Sequence, residues 1–275
     1  MSQNLAKQKK LIEKIAFNII EQEMRTVVQG QRTYPEIYMD VRKTVDYAAR
    51  IHKKQIRKNG EPYIFHPLHV ALIAAENGMV DKISIDSCML HDVIEDGGVS
   101  RKEISELFGE EVAEIVEGLT KIRMHKAESY DKFFSHTVHN PRVAYIKIFD
   151  RLHNLRTLWP HSPSKQVIIA EESMEIYHKL CIRLCLTDIA NEIESLCAPV
   201  LYPDKFDQFS ARLQQIQKWS GDIINSFKMN VLEKCHENDV KIRKIRVQWK
   251  PFLDISDYEL MQVPGVLLFL SLIHI

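Results

Sequence analysis

Glycine, proline and cysteine are all scarce in this chain of 275 residues, and each shortage excludes a class of protein. The chain has only 9 glycines and 10 prolines, and no stretch alternates convincingly between apolar and polar residues, so a sheet-rich fold is not expected. The 5 cysteines are odd in number and widely spread, which fits neither a disulfide framework nor a zinc knuckle. A reducing cytoplasm is therefore the predicted setting.

The chain also has no net charge and no segment that could anchor it in a bilayer. Lys+Arg and Asp+Glu both count 37, so electrostatics gives no argument for a nucleic-acid or membrane partner. The apolar run at 265–275 is too short to span a membrane, and residues 6–28 lack the apolar core and cleavage site of a signal peptide. Nothing in the sequence predicts an oligomeric state.

Apolar residues recur at helical spacing almost throughout, which predicts an all-α fold. We expect a helical bundle over 1–198, and over 199–275 a long helical extension with a less regular tail. The last six residues, 270–275, resemble a translated sequencing adapter, so we expect a truncated reading frame there. The predicted helices cover 5–28, 37–55, 66–77, 82–92, 101–108, 110–119, 129–137, 141–159, 164–180, 187–196 and 204–237.

Four groups that can bind a metal or carry a proton lie within six residues, at His91, Asp92, Glu95 and Asp96. On a helix, adjacent His91 and Asp92 project about 100° apart, so both can reach a cation at its end. Imidazole and carboxylate together suit Mn²⁺, Fe²⁺ or Zn²⁺. Glu95 and Asp96 follow one turn later, where they could orient or deprotonate a water. The alternative is a charged helix end that faces solvent.

Two distant residues complete this pattern. His66 stands at the start of an otherwise apolar helix, and Asp150 follows the apolar stretch 143–149. A carboxylate in such surroundings needs a partner or a metal. Taken singly, His66 could be a satisfied core histidine and Asp150 could pair with an arginine.

The order His, His-Asp, Asp resembles the ligand signature of the HD superfamily of metal-dependent phosphohydrolases. A closer resemblance, over roughly 41–196, is to the N-terminal hydrolase domain of the RelA/SpoT homologue family. Four blocks carry it in the family's order, at 57–67, 90–96, 108–121 and 150–158. The resemblance implies an HD-domain helical bundle and a Mn²⁺-dependent 3′-pyrophosphohydrolase of the alarmones ppGpp and pppGpp, acting in the stringent response.

The resemblance also implies a division of roles in the metal site. Members that only synthesise alarmone have lost the His-Asp and Glu-Asp pairs, whereas this chain keeps both pairs, which favours hydrolysis. The implied metal ligands are His66, His91, Asp92 and Asp150, and the implied catalytic pair that handles the attacking water is Glu95 and Asp96.

A second set of residues is implied to bind the nucleotide. Arg57 and Lys58 match the loop that contacts the nucleotide, with Lys58 near the guanine. Asn154 and Thr157 match residues that line the site. Arg151 is a nearby cation that we expect to offset phosphate charge. The expected partner is therefore a guanine nucleotide alarmone.

Three departures from the family leave alternatives open. Ser129 and Asp131 stand where many members have an amide and a basic residue, so substrate binding could be weaker. The turn at 159–163 differs from the family's lysine-rich turn. No synthetase motif follows Tyr202, although 241–250 sits at about its place, so we do not expect alarmone synthesis. The alternatives are hydrolysis of another 3′-phosphorylated nucleotide or of NADPH, and a regulatory module that binds alarmone without cleaving it.

Overall fold

A computed structural model describes residues 2–24, 32–120, 137, 140–239, 242–248 and 269–274. These residues form two compact units, Met1–His161 and Ser162–Ile275. The helices of the first unit are α1 (Ser2–Glu23), α2 (Tyr34–Ile51), α3 (Phe65–Glu76), α4 (Lys82–Leu90), α5 (Arg101–Phe108), α6 (Glu110–Thr120) and α7 (Pro141–Arg156).

Helix α3 is the central helix of the first unit. It is apolar on all sides, and ten of its twelve residues are buried, which is the pattern of a helix surrounded by others. It packs against α1, α4 and α7. Because His66 is its second residue, the imidazole lies inside the core rather than on the surface.

Helices α4, α6 and α7 are tied together by one arginine near the start of α7. The guanidinium of Arg142 donates to Ser84 Oγ (3.0 Å) and to Glu111 Oε1 (3.0 Å). Helix α7 itself begins at a side-chain cap, since Asn140 Oδ1 accepts from the backbone N–H of Arg142 (3.1 Å) and Pro141 follows at the first position. These contacts fix the helix that carries Asp150.

The second unit is also mainly helical. It comprises α8 (Pro163–Glu172), a π-helical segment (Ser173–His178), α9 (Lys179–Arg183), α10 (Thr187–Leu201) and α11 (Pro203–Glu237). Helix α10 packs on α8 and on the π-helical segment. Strands β1 (Ile242–Gln248) and β2 (Phe269–His274) pair antiparallel, with Ile245 opposite Leu272.

The all-α prediction is confirmed for the helical fold, and several boundaries are corrected. The helix predicted over 164–180 is interrupted by the π-helical turn, and α10 continues through Pro199 to Leu201, so the chain breaks only at Tyr202. The strand pair was not predicted from the sequence. The segment 242–248, which sits at about the place where a synthetase motif would stand, forms β1. The predicted helix 129–137, apart from residue 137, lies outside the described residues, and so do Ser129 and Asp131.

Among the helices that can be described, none combines the length and the apolar character needed to cross a lipid bilayer.

Candidate metal centre

The residues of the His-Asp motif lie in a series of turns rather than on a helix, contrary to the sequence prediction. Helix α4 ends at Leu90, two residues before the predicted end, and 91–97 form consecutive turns. The backbone N–H of Val93 bonds to Leu90 O (3.1 Å), and that of Asp96 bonds to Asp92 O (2.9 Å). The motif is therefore held by local backbone hydrogen bonds, directly after a buried helix.

Gly97 allows this turn to lie against α2. A Cβ at Gly97 would stand 2.3 Å from Ile51 Cγ2 and 2.5 Å from the carbonyl oxygen of Val93. Both distances are far inside van der Waals contact. This packing role of Gly97 is visible only in the tertiary structure.

Four of the predicted site residues converge at one point. The Nε2 atom of His66 lies 3.1 Å from Asp150 Oδ1 and 3.7 Å from Asp92 Oδ2. The Nε2 atom of His91 lies 2.9 Å from Asp92 Oδ2, 3.2 Å from His66 Nε2 and 3.8 Å from Asp150 Oδ1. His66, His91 and Asp92 each offer a ligand atom, and these three atoms lie within 4.8 Å of one another.

Burial and the neighbouring charges together shift the pKa of each of the four convergent groups. Despite burial, the two nearby carboxylates raise the pKa of His91 to about 9. Burial lowers the pKa of His66, although Asp150 lies within hydrogen-bonding distance. The pKa of Asp92 and that of Asp150 lie well below their usual range in spite of burial, because the imidazoles favour the charged carboxylates. Both carboxyls are therefore ionised at neutral pH.

The donor set fits a divalent cation. Two imidazole nitrogens face two ionised carboxylates in a site where His66 and His91 are each 2 % exposed. Close opposition of two nitrogen lone pairs and two anionic oxygens is unfavourable without a proton or a cation between them. Nitrogen and oxygen donors together suit a first-row divalent metal.

Each of the two histidines uses its other ring nitrogen to contact a fixed partner. His91 Nδ1 lies 2.8 Å from the carbonyl oxygen of Cys88, and His66 Nδ1 lies 2.8 Å from His153 Nδ1. The His153 ring stacks on His69, with centroids 5.0 Å apart and planes 13° apart. Burial and the neighbouring His66, His69 and Arg57 lower the pKa of His153 to about 2. His153 is therefore a neutral ring.

Tyr63 is a site residue that the sequence reasoning did not single out. Its hydroxyl donates to Asp92 Oδ2 (2.5 Å) and lies 3.4 Å from Asp96 Oδ2. Burial and the carboxylates of Asp92 and Asp96 raise the pKa of Tyr63, so the hydroxyl stays protonated and remains a donor. The position of Tyr63 inside the matched block 57–67 was the available signal, and so was that of His153 inside the block 150–158.

The predicted catalytic pair lies at the edge of the cluster. Glu95 and Asp96 are both exposed. Partial burial of the carboxyl, with the negative charges of Asp92 and Glu95, raises the pKa of Asp96. The backbone carbonyl of Asp96 accepts from Gln55 Nε2 (2.7 Å), which fixes this end of the turn against the segment after α2.

Three of the predicted nucleotide-binding residues are in contact with one another. Arg57 Nη2 donates to Asn154 Oδ1 (2.7 Å) and to Thr157 Oγ1 (3.3 Å). The amide of Asn154 also donates through Nδ2 to Asp150 Oδ1 (2.7 Å). A continuous chain of hydrogen bonds therefore joins the Arg57 guanidinium to a carboxylate of the metal centre.

The other two predicted nucleotide-binding residues are less closely connected to this chain. Lys58 Nζ lies 3.3 Å from His161 Nδ1, in the turn after α7. Arg151 lies on α7 next to Asp150 and is partly exposed. Both remain predictions as nucleotide contacts.

A loop bridge presents Arg57 and Lys58. Ile56 pairs with Pro62 across the loop, and the backbone N–H of Arg57 bonds to Glu61 O (2.9 Å). Glu61 in turn forms an ion pair with Lys7 of α1, whose ammonium also lies 4.6 Å from the centre of the Phe65 ring. The loop is thus fixed both internally and from the N-terminal helix.

The chain is similar in sequence to several named proteins. The chain is 41% identical over 190 residues to the guanosine-3′,5′-bis(diphosphate) 3′-pyrophosphohydrolase of Aquifex aeolicus (strain VF5), which covers 67% of this chain and 27% of that protein. It is 38% identical over 197 residues to the GTP pyrophosphokinase of Myxococcus xanthus, covering 67% of this chain and 26% of that protein. The chain thus spans about a quarter of the length of these relatives.

A solved structure, described as a metazoan ortholog of SpoT that hydrolyzes ppGpp, is 25% identical and covers 57% of this chain and 85% of its own, with a TM-score of 0.40. That overlap is too low to argue a shared architecture. The model of an HD domain matches residues 44–186, which is more than half of the chain and includes all four convergent residues. The chain therefore belongs to the HD domain family.

Proposed function

We propose that the chain is a metal-dependent guanosine-3′,5′-bis(diphosphate) 3′-pyrophosphohydrolase, which converts ppGpp or pppGpp and water into GDP or GTP and pyrophosphate. One observation carries the proposal: two imidazoles and two carboxylates converge beside a guanidinium that is hydrogen-bonded, through Asn154, to the carboxylate of Asp150. A cation site next to a fixed cationic side chain is the arrangement that cleavage of a phosphate ester requires.

The proposed ligands of the divalent cation are His66, His91, Asp92 and Asp150, and the proposed cation is Mn²⁺. When bound, the cation would act as a Lewis acid towards the phosphoryl group and offset its negative charge. The mixed nitrogen and oxygen donors support Mn²⁺ but also suit Fe²⁺ and Zn²⁺. Metal-dependent rates with each ion would separate them.

We assign proton transfer to the carboxylates at the edge of the centre. Asp96 accepts a proton from the attacking water, because its raised pKa brings it closer to neutral pH than an ordinary aspartate. The water oxygen bonds to the phosphorus, and the bond from that phosphorus to the 3′ oxygen breaks. The 3′ oxygen takes up one proton and leaves as the 3′ hydroxyl of GDP or GTP, which balances the proton that Asp96 accepted from the water. Tyr63 orients Asp92 by donating its hydroxyl proton to Oδ2, and the same hydroxyl oxygen lies 3.4 Å from Asp96 Oδ2. Glu95, which is exposed beside Asp96, assists in the transfer of the proton from the attacking water.

The nucleotide would lie on the Arg57 side of the centre. Arg57 is held by Asn154 and Thr157, so its guanidinium is oriented before the substrate binds. A guanidinium oriented in advance binds phosphate oxygens with little loss of side-chain freedom. Lys58 is proposed to contact the base, and Arg151 to offset phosphate charge.

The remaining sequence predictions stay proposals as well. We propose that the hydrolase domain covers 1–198 and that 199–275 is an extension without synthetase activity. We also propose a cytoplasmic location, consistent with five cysteines that are all free thiols.

The decisive test is incubation of the purified protein with ppGpp and Mn²⁺, followed by separation of nucleotides. We expect GDP and pyrophosphate, and no product without metal. Asp92→Asn should abolish turnover, whereas Asp86→Asn should retain it. Asp86 is a matched control because it is a buried aspartate bonded to Thr44 (2.6 Å) and Lys82 (2.7 Å), outside the metal centre.

Two results would redirect the assignment. A folded, metal-loaded protein that leaves ppGpp intact but removes the phosphate from the adenosine ribose of NADPH would be a hydrolase of a different nucleotide. A protein that binds ppGpp with unchanged affinity after Asp92→Asn, and never turns it over, would be a binding module.

A further inference from the structure

The two histidines of the metal centre differ in what their outer nitrogens contact. His91 Nδ1 lies 2.8 Å from Cys88 O, and a carbonyl oxygen can only accept, so His91 Nδ1 donates. Carbonyls and carboxylates are the usual outer partners of metal-binding histidines. His66 has neither, because its Nδ1 faces the Nδ1 of another imidazole, His153, at 2.8 Å.

The direction of this second hydrogen bond follows from the other side of His66. Its Nε2 points into the centre, 3.1 Å from Asp150 Oδ1 and 3.2 Å from His91 Nε2. A metal ligand must offer a lone pair there, so the proton of neutral His66 resides on Nδ1. His66 then donates, and His153 accepts with Nδ1 and carries its own proton on Nε2.

We propose that His153 is a positioning residue, which fixes the tautomer and the ring orientation of His66 by accepting a hydrogen bond from its Nδ1–H. The inference rests on the proposed metal centre and adds a residue to it. The surroundings of His153 support the acceptor role: the ring is 7 % exposed and stacks on His69, with centroids 5.0 Å apart. A buried ring stacked in this way has little freedom to turn away.

The choice of an imidazole as acceptor has a chemical consequence. A carboxylate in this place would bring a third negative charge to the centre. It would also raise the basicity of His66 Nε2 as a metal ligand. A neutral imidazole fixes the same tautomer without that charge. Among the four convergent groups, only Asp92 and Asp150 then bring negative charge to the centre.

The tautomers can be observed directly by nitrogen NMR of protein labelled with ¹⁵N-histidine, titrated with Zn²⁺ as a diamagnetic probe. We expect His66 to show a protonated Nδ1 and a zinc-shifted Nε2, and His153 to show a protonated Nε2 and a bare Nδ1. A zinc-loaded protein in which His153 Nδ1 carries the proton would overturn the inference. Absence of any zinc shift at His66 and His91 would instead refute the metal centre of the proposed function.

Substitutions give a second, independent readout through Zn²⁺ affinity measured by calorimetry. His153→Leu removes the acceptor and should weaken Zn²⁺ binding about 10- to 100-fold, the usual effect of losing such a partner. His153→Asn places a carbonyl oxygen near the former Nδ1 and should restore most of the Zn²⁺ affinity that His153→Leu loses. His69→Leu is the matched control, because it removes a stacked imidazole but no bond to His66. Equal losses in His153→Leu and His153→Asn, or a loss in His69→Leu as large as in His153→Leu, would contradict the role of the hydrogen bond.

Discussion

At the scale of single residues, hydrogen bonds restrict the orientation of the two carboxylates in the centre. Asp92 Oδ2 lies 2.9 Å from His91 Nε2 and accepts a hydrogen bond from the Tyr63 hydroxyl (2.5 Å). Asp150 Oδ1 accepts from the amide of Asn154 (2.7 Å) and lies 3.1 Å from His66 Nε2. Each carboxylate is therefore oriented by a neutral donor that is not itself a proposed metal ligand, and such support restricts the geometry of a metal site.

Tyr63→Phe tests this support. The change removes one hydroxyl donor to an ionised carboxylate, a bond that contributes about 1.5–3 kcal/mol. We expect kcat for ppGpp hydrolysis to fall about 10- to 100-fold, since each 1.4 kcal/mol of lost transition-state stabilisation is tenfold. Steady-state kinetics at saturating Mn²⁺ measures it.

The matched control is Tyr47→Phe. The hydroxyl of Tyr47 also donates to a carboxylate, Glu103 Oε1 at 2.7 Å, but away from the centre. That variant should lose stability in urea and retain its kcat. Equal kcat values for Tyr63→Phe and the parent protein would exclude a role of the tyrosine in orienting Asp92 and Asp96.

At the scale of elements, the short connections position the site as much as the helices do. The turn 91–97 presents His91 and Asp92, and the bridged loop 56–62 presents Arg57 and Lys58. Each connection is anchored to a neighbouring helix, the turn by Gly97 against Ile51 and the loop by Lys7 of α1. The helices set the depth of His66 and Asp150, and the connections bring the remaining groups to them.

Gly97→Ala should disturb the motif turn. A methyl group there meets Ile51 Cγ2 and the carbonyl oxygen of Val93 at distances that require movement of the turn or of α2. We expect a loss of about 1–3 kcal/mol in the free energy of unfolding, as for other overpacked sites, together with weaker metal binding.

Gly118→Ala provides the comparison for that prediction. Its added methyl group would find Val143 Cγ2 at 3.6 Å, an ordinary contact, in the interior of α6. Alanine favours a helix over glycine by about 1 kcal/mol, so this variant should be neutral or more stable. Urea denaturation measures the free energy of unfolding of both variants. Similar destabilisation in both would contradict the close packing of the turn.

The cap of α5 allows a second test at this scale. Ser100 Oγ accepts from the backbone N–H of Glu103 at 3.2 Å, which satisfies one of the free donors at the helix start. Ser100→Ala should cost about 0.5–1 kcal/mol of stability. Ser162 occupies the same position before α8 but makes no cap bond, so Ser162→Ala should cost much less. Denaturant midpoints that shift equally in the two variants would argue against the cap.

At the scale of the whole molecule, the metal centre joins elements that are distant in sequence. His66 belongs to α3, His91 and Asp92 follow α4, and Asp150 belongs to α7. A cation held by these residues would bind the folded first unit and not the unfolded chain. Metal binding is therefore expected to stabilise the fold by mass action.

Removal of metal tests that linkage. At a free Mn²⁺ concentration of about one hundred times Kd, the stabilisation is about 2.7 kcal/mol, which corresponds to a rise in Tm of roughly 5–10 °C. Differential scanning calorimetry with Mn²⁺ and with EDTA measures the difference. Asp150→Asn should show a much smaller metal-dependent shift, and an unchanged shift in that variant would exclude Asp150 as a ligand.

Features that depend on interactions between residues near in sequence were predictable, and features that depend on distant residues were not. Helix 101–108 was predicted with its observed ends because Ser100 caps it and Gly109 ends it, which are local signals. Helix 82–92 was predicted two residues too long, because the turn after Leu90 is held partly by packing against Ile51. The strand pair joins 242–248 to 269–274, and such non-local pairing leaves little trace in either segment alone.

The sequence by itself determined the helical class through the periodicity of its apolar residues. The order of its motifs determined the four residues that converge and the loop that carries Arg57. Only the tertiary structure decided that Tyr63 bridges Asp92 and Asp96, that Asn154 connects Arg57 to Asp150, and that His153 faces His66. These partners lie up to 97 positions apart in the chain. Hydrogen bonds over such separations depend on how α3, the turn after α4 and α7 pack, and no local pattern specifies that packing.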